Sequence, residues 1–419
     1  LWNHLDLPIA MMRYILLLSV LFAGCDAMMG SKQDPITDEI FTAGKIDPTQ
    51  FQEVEYVPLF PFFQTGGDGL PLDQPTDVYV GYDELVYITD ARGLHVLDQA
   101  GRPATFLPLP GGGTNVIQDR RLHVYVTARR DTFLNGQNWS LPVIYRWSGI
   151  ASGSPTLERT IWHPFDDDSR RFNLPDPIAT DEAVAFTGIG ILPNNNVYVA
   201  RRGPVNDRTS IITAHNTVLQ FTPEGVNIQA ILALNPNIES LRSAIDPADV
   251  ATFVHPPQRE QFTDEQHFVL LQGADNGPRR YGVLSIIARV TSDGIVYEPD
   301  TRLVGASART PGASGYLYDP FQFADVSGIA IAADNTGYWF VTDRGKDSLF
   351  VFTSGGVEGV QPPAGIRSTI PIRVSFGGTG DGAMQFDRPE GVAYFQRLVY
   401  VADRGNNRIG RFRLNTDFE

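Results

Sequence analysis

Short runs of β-branched and aromatic residues recur along the chain, and each run ends at a polar turn. Runs of this composition and length are typical of β-strands packed in a core. Five clear copies span Leu85–Gly93, Leu122–Arg130, Asn196–Gly203, Gly337–Gly345 and Leu398–Ile409. A weaker copy lies at Phe268–Asp275. Self-similarity of this kind predicts a repeated β architecture.

Each copy has neighbouring strands that complete a four-stranded unit. A third strand follows it, and usually a fourth. A short strand precedes it, as at Thr76–Val80, Thr187–Ile191 and Glu390–Tyr394, with Asp249–Phe253 as its counterpart in the weak copy. Six such antiparallel units predict an all-β fold, a six-bladed β-propeller. The last unit lacks a fourth strand, so we expect Val54–Phe60 to supply it and close the ring.

The last two units resemble a known repeat. The sequences at Arg388–Ala393 and Val399–Ile409, with the glycine-rich stretch Gly377–Gly382 ahead of them, are similar to NHL repeats. The first unit matches moderately, the second and third loosely, and the fourth hardly at all. As architecture the resemblance covers residues 53–414 and implies the propeller fold. It implies no particular chemistry, because NHL-type propellers include lyases, sensors, RNA binders and scaffolds.

Composition narrows the class of protein. The 419 residues include 40 Gly and 30 Pro, which fits many tight turns and argues against long helices. Lys and Arg number 33 against 48 Asp and Glu, a net charge of −15. Nucleic-acid binding is therefore not expected, because phosphate neutralisation supplies most of its affinity. The single cysteine excludes an intrachain disulfide and zinc sites built from several cysteines.

The start of the chain has the features of an export signal. A basic residue precedes the apolar run 14–23, which is too short to span a membrane. Residues 21–25 (LFAGC) resemble a bacterial lipobox, with Phe22 where Leu is commoner. The resemblance implies that Cys25 carries a lipid. Cleavage after Ala27 and an uncleaved anchor stay open as alternatives.

These features divide the chain into three parts. We predict a signal peptide at residues 1–25, a polar tether at 26–52 and the propeller at 53–419. Whether residues 1–10 are translated stays open, since Met11 and Met12 are better starts. The expected product is a monomeric lipoprotein of the bacterial cell envelope, held to a membrane through its lipid alone.

The long connections of the predicted propeller fall at one of its two ends. Connections from second to third strands and from blade to blade emerge at this end, which we call the loop face. The opposite end, the turn face, has short turns, with one long exception at 353–369. The long loop-face segments are 129–141, 164–185, 202–216, 232–249, 273–281 and 305–325. Long loops on a rigid scaffold commonly carry binding sites, although insertions that only cap the channel are the alternative.

Arginine recurs where second strands reach the loop face, at Arg129, Arg202, Arg344 and Arg404. A ring of guanidinium groups suits a carboxylate, a phosphate or an acidic sugar, because the planar fork donates two parallel hydrogen bonds. The alternative is structural pairing with a preceding aspartate, such as Asp343, or with the next blade. Blades two and three lack that aspartate, which makes the stronger anion-binding candidates Arg129, Arg130, Arg201 and Arg202. His163, beside a loop-face segment, is a further ligand-binding candidate.

A second hypothesis comes from the inner strands. Related propellers hold a catalytic metal in the axial channel through carboxylates, amides or histidines, and the resemblance implies as candidate calcium ligands Asp77, Asn115 and Glu390. Calcium prefers several carboxylate or carbonyl oxygens. Most equivalent positions here carry hydroxyl residues, which are weak ligands.

The sequence thus predicts an exported propeller that binds a protein or an anionic small molecule or glycan through its loop face, without catalysis. The alternative is a metal-assisted hydrolase or lyase of the lactonase or amidating-lyase type. The sequence contains no Gly-x-Ser-x-Gly elbow and no His-Glu-x-x-His motif. It does not name the ligand.

Overall fold

Six four-stranded antiparallel sheets follow one another in the computed structural model. The structure describes residues 53–167, 171–204, 215–231, 244–256, 266–273, 281–302, 315–319, 321–363 and 367–417. The predicted export signal and Cys25 lie outside these residues. Within them, no helix is long and apolar enough to cross a membrane.

The first three blades follow the chain order. Blade one is β2 (Asp77–Val80), β3 (Val86–Thr89), β4 (Gly93–Leu97) and β5 (Pro103–Pro108). Blade two is β6 (Gly113–Gln118), β7 (Val124–Leu134), β8 (Gln137–Ser148) and β9 (Thr156–Trp162). Blade three follows a one-turn helix, α1 (Ala179–Glu182), and is β10 (Ala185–Ile191), β11 (Val197–Arg202), β12 (Thr217–Phe221) and β13 (Asn227–Ile231).

The other three blades repeat the plan. Blade four is β14 (Pro247–Thr252), β15 (Phe268–Gln272), β16 (Val283–Thr291) and β17 (Gly294–Pro299). Blade five is β18 (Val326–Ile331), β19 (Trp339–Asp343), β20 (Ser348–Phe352) and β21 (Phe376–Gly377). Blade six is β22 (Pro389–Phe395), β23 (Leu398–Asp403) and β24 (Arg408–Leu414), completed by β1 (Tyr56–Pro58).

The predicted closure by the N-terminal strand is confirmed. β1 pairs antiparallel with β24, Tyr56 opposite Leu414 and Pro58 opposite Phe412. Each inner strand contacts the inner strands of the two adjacent blades, so the ring is continuous from β2 through to β22 and back. The outer edge of the last blade is therefore covered by a strand from the other end of the sequence.

The repeated Val-Tyr pair of the second strands explains how the blades pack. Its tyrosine is fully buried in four blades, at Tyr87, Tyr125, Tyr198 and Tyr400. Each lies in a hydrophobic cluster shared with an adjacent blade, as Tyr87 does with Val116 and Val126. Because both faces of every blade are covered, second strands are apolar throughout rather than alternating, which is what the sequence shows.

Three inner-strand glycines are required by the crowding at the axis. A Cβ at Gly391 would lie 2.0 Å from Oδ1 of Asp77, and one at Gly188 would lie 2.5 Å from Cα of Asp249. At Gly328 the obstacle is the carbonyl oxygen of Glu390, at 2.5 Å. Adjacent inner strands thus approach too closely there for any side chain.

One predicted loop is wrong. Segment 129–141 is a continuation of β7 and β8, which stay paired from Arg129 opposite Pro142 to Leu134 opposite Gln137. The turn between them is Asn135-Gly136, and both residues have positive φ. Asn-Gly is the preferred pair for a tight two-residue hairpin turn, so this segment is a rigid ribbon.

Candidate functional site

Two cavities lie on the axis of the propeller among the residues that the structure describes. The cavity at the loop face, which we call the mouth, measures about 190 Å³ and is lined by Thr76, Thr114, Asn115, Ala185, Phe186, Thr187, Arg202, Ala248, Ser327, Arg344, Glu390, Gly391 and Arg404. The cavity at the turn face, which we call the chamber, measures about 160 Å³ and receives residues from all six inner strands. Three of the predicted arginines therefore meet at one cavity, and the others do not line it.

Glu390 links two of the mouth arginines. Nη1 of Arg344 and Nη1 of Arg404 each donate to a different Glu390 oxygen at 3.3 Å. Arg344 also donates from Nε to Asp325 at 2.7 Å, and Arg404 donates to the amide oxygen of Gln74 at 3.2 Å. The Arg344–Glu390 pair crosses from blade five to blade six, and the Arg404–Gln74 pair crosses from blade six to blade one.

Arg202 reaches the mouth from the opposite side. Its Nη1 donates to Asp246 at 3.1 Å, its sole hydrogen-bond partner among the described residues. Its side chain is 39% exposed, against 29% for Arg344 and 35% for Arg404. A guanidinium carries five N–H donors, so Arg202 keeps donors for a ligand. The preceding-aspartate pairing is not what holds these arginines, since Asp343 accepts backbone N–H groups, including that of Asp325 at 2.8 Å.

Two hydroxyl groups of the mouth, those of Thr76 and Ser327, join neighbouring blades. Thr76 donates to the carbonyl oxygen of Gly113 at 2.9 Å, and Ser327 donates to that of Pro389 at 2.6 Å. In each case the acceptor belongs to the next inner strand. These hydroxyls are therefore engaged in ring closure.

Arg129 has a different environment from the mouth arginines. Its guanidinium donates to the carbonyl oxygens of Val184 at 2.7 Å and Glu182 at 2.8 Å, and also to that of Ser140. Burial lowers its pKa. Since these carbonyls belong to α1 and the entry to blade three, Arg129 fastens blade two to blade three.

Arg130 lies on the outer part of blade two. Its guanidinium stands 5.5 Å from the ring centre of Trp162, and Nη1 donates to Thr160 at 3.3 Å. A cation–π contact of this kind is a local packing interaction between strands.

Arg201 and His163 form a buried cluster with two aspartates. Arg201 donates from Nε to Nε2 of His163 at 3.0 Å and from Nη2 to Asp166 at 2.9 Å, and all three side chains are fully buried. Nδ1 of His163 lies 3.4 Å from Asp181. A ring nitrogen that accepts from a guanidinium is unprotonated, and burial together with the charge of Arg201 lowers the pKa of His163 to about 3.

This cluster serves the fold. Asp181 accepts the backbone N–H of Ile178 at 2.9 Å, and Arg201 donates to the carbonyl oxygen of His215 at 2.7 Å. The loop-face segment that begins at His163 is therefore fastened onto blade three. His163 and Arg201 do not face either axial cavity.

The three candidate calcium ligands already have protein partners. Asp77 accepts the N–H groups of Val78 at 2.8 Å and Val116 at 2.9 Å. The amide oxygen of Asn115 accepts the Thr127 hydroxyl at 3.1 Å, and Glu390 binds the two arginines. Among the described residues, no three His, Cys, Asp or Glu side chains are grouped as a metal site would need. The donor set does not fit calcium.

Asp249 is a site residue that the sequence analysis missed. It occupies in β14 the position of Asp77 in β2, and it accepts the N–H groups of Val250 at 2.7 Å and Ile329 at 3.0 Å. Both carboxyls line the chamber. Desolvation raises the pKa of Asp77 to about 7 and that of Asp249 well above its ordinary value. An alignment of the inner strands on Asp77 would have identified Asp249 from the sequence.

The sequence of the last blade is matched by a known family. The family described as NHL repeat matches residues 386–412, which contain most of β22, β23 and β24. The predicted resemblance to NHL repeats is thus confirmed for the last blade. The chain is a six-bladed β-propeller. No curated protein matches the chain in sequence.

Several solved structures are similar to this chain at low sequence identity. Virginiamycin B lyase from Staphylococcus aureus is 16% identical, with 86% of this chain and 99% of that one covered and a TM-score of 0.40. An auxiliary nutrient binding protein from Bacteroides ovatus is 10% identical over 87% and 78%, with a TM-score of 0.48. A gluconolactonase from Xanthomonas campestris is 10% identical over 86% and 90%, with a TM-score of 0.46. At these identities and TM-scores, the similarity assigns no function to this chain.

Proposed function

We propose that this protein is a binding propeller whose ligand site is the mouth, and that the ligand carries a carboxylate or a comparable anionic group. The observation that carries the proposal is the convergence of three partly exposed arginines, Arg202, Arg344 and Arg404, from three blades on one cavity. In a chain of net charge −15, this cavity is lined by three cationic side chains and one carboxylate, that of Glu390. Planar guanidinium forks bind carboxylate and phosphate oxygens with defined geometry.

The mouth holds a small anion through spare N–H donors rather than through a net positive charge. Three carboxylates, Asp246, Asp325 and Glu390, pair with the three arginines, so the empty mouth is close to neutral. A ligand carboxylate adds one negative charge to a site that still has N–H donors on Arg202. Pre-positioned arginines also lower the entropic cost of binding, because their partners already hold the side chains in place.

The hydrolase or lyase alternative has weaker support. It requires Asp77, Asn115 and Glu390 to converge on one cation, whereas Asp77 lines the chamber and the other two line the mouth. Metal analysis of the purified protein addresses it directly. Stoichiometric calcium that is lost in Glu390→Gln would favour the enzyme.

The proposed setting is the bacterial cell envelope, with the propeller attached through a lipid on Cys25. An export signal and a mouth that faces its ligand from a fixed scaffold suit capture of an external solute. Mass spectrometry of protein from a bacterial host tests this part. We expect an acylated N-terminal peptide in the natural chain and none in Cys25→Ser.

The central experiment measures binding of acids of increasing size. Citrate, galacturonate, tri-galacturonate and inorganic phosphate are titrated calorimetrically into the wild type, into the double variant Arg202→Gln with Arg404→Gln, and into Arg102→Gln. Arg102 is the matched control, since it is an exposed arginine on the turn face paired with one aspartate, as Arg202 is at the mouth. At least one acid is expected to bind the wild type and Arg102→Gln alike, and at least tenfold more weakly to the double variant. Binding of no acid, or equal binding by all three proteins, would overturn the proposal.

A further inference from the structure

The chamber differs from the mouth in the chemistry of its walls. Its sides are aliphatic, with residues from several blades, including Val80, Ile191, Val250, Ile331 and Val392. Aromatic residues join them toward the turn face, namely Tyr79, Tyr82, Tyr394 and Phe395. The polar groups of its inner end are the carboxyls of Asp77 and Asp249.

Among the residues that the structure describes, these two carboxyls have no cationic partner. Each accepts two backbone N–H groups, one on each oxygen, which leaves half of the acceptor capacity of a carboxylate unused. The described lining of the chamber includes no lysine, arginine or histidine. A buried carboxylate without a counter-ion is costly, and here the cost appears as raised pKa values for both groups.

We propose that the chamber is a second binding site, which takes a small organic ammonium ion with a hydrocarbon body. The ammonium group supplies the positive charge that Asp77 and Asp249 lack. The hydrocarbon body packs against the valine and isoleucine walls, and tyrosine rings attract a cation through their π faces. This inference does not rest on the function proposed for the mouth.

The volume of the chamber sets the size of the ligand. An apolar protein cavity of about 150 Å³ holds one benzene ring, and the chamber measures about 160 Å³. The ligand therefore has about six to eight non-hydrogen atoms. We place its entry at the turn face, where the aromatic residues of the chamber lie.

Three isosteres test the proposal on the natural chain. Benzylamine, benzyl alcohol and benzoate share a ring and differ in charge, and each is titrated calorimetrically at pH 7.5. Benzylamine is expected to bind at least tenfold more tightly than benzyl alcohol, with benzoate the weakest at this site. Benzylamine should also release protons, measured by repeating the titration in buffers of different ionisation enthalpy, because the cation favours the ionised carboxyls. Equal affinity for the amine and the alcohol, or no binding of the amine, would overturn the proposal.

A variant then tests whether the amine binds in the chamber. Asp249→Asn should weaken benzylamine at least tenfold and leave benzyl alcohol within twofold, while Arg102→Gln changes neither. Unchanged benzylamine affinity in Asp249→Asn would contradict the assignment. In this variant one backbone N–H faces the NH2 group of asparagine instead of an oxygen and loses its acceptor. Circular dichroism therefore checks the fold. Should the variant not fold, the comparison of isosteres on the natural chain decides alone.

Discussion

Arg201 and Arg202 are neighbours on β11, yet they belong to different regions of the molecule. Arg201 is fully buried between blades two and three, where it binds a histidine, an aspartate and a backbone carbonyl. Arg202 is 39% exposed at the mouth and binds one aspartate. Successive side chains of a strand point to opposite faces of its sheet, so Arg201 contacts the segment that follows blade two and Arg202 contacts Asp246, just before blade four. The same residue type therefore stabilises the fold at one position and is available for a ligand at the next.

The largest effect is expected for Arg201→Met. Removing the guanidinium leaves Asp166 buried without its cation, which costs about 3–5 kcal/mol of the free energy of unfolding. Urea denaturation followed by fluorescence measures the loss. The double variant Arg201→Met with Asp166→Leu should recover part of it, because both charges are then gone. A loss below about 1 kcal/mol in the single variant would show that the cluster is not a structural one.

Arg129→Ala should have the next largest effect. It leaves carbonyl groups at the junction of blades two and three without their donor, at a cost of about 1–3 kcal/mol. The thermal midpoint should fall, while affinity of the mouth for acids stays within twofold of the wild type. Loss of acid binding without loss of stability would show that Arg129 belongs to the binding site. The structural and the ligand-binding arginines would then not lie in separate regions.

The pH dependence of the free energy of unfolding reports the protonation of His163. Its folded pKa, about 3, lies below the ordinary value of 6.5, so the unfolded chain binds the extra proton first. Stability is therefore full above pH 6.5 and falls as the pH drops toward 3, by about 2 kcal/mol between pH 6.5 and 5. His163→Gln keeps an acceptor for Arg201 and should remove this part of the slope, measured by urea titrations at several pH values. An unchanged slope would indicate a protonated, solvated histidine.

Arg202→Ala should cost least in stability. A partly exposed ion pair contributes about 0–1 kcal/mol, so the thermal midpoint should stay close to that of the wild type. The same variant should weaken acid binding at the mouth, which is the opposite of what Arg129→Ala does. A large loss of stability in Arg202→Ala would mean that the mouth, too, is built for structure.

The sequence predicted the fold well because the signals of a propeller are local and repeated. Each blade carries its own strand pattern, and the missing fourth strand of blade six indicated that Val54–Phe60 would supply it, as β1 does. The site was harder, because the partners of its side chains come from distant parts of the chain. Nothing near Arg344 or Arg404 in sequence indicates that Glu390 joins them.

One signal for the buried cluster was present in the repeats. Arg201 stands where Asp90, Asp343 and Asp403 stand in other blades, and all four side chains are fully buried. The position is thus buried in each of these blades. A basic residue at this position needs an acidic partner from another part of the chain. Asp166 is that acid, supplied by the segment between blades two and three.

The pairing of β1 with β24 has a consequence for biogenesis. The two partners are separated by more than three hundred residues, Tyr56 lying opposite Leu414. During synthesis the ring of blades cannot close until β24 has been made, because β24 is the strand with which β1 pairs. Until then β1 stays unpaired, and a truncated chain would expose unpaired strand edges that can associate with other chains.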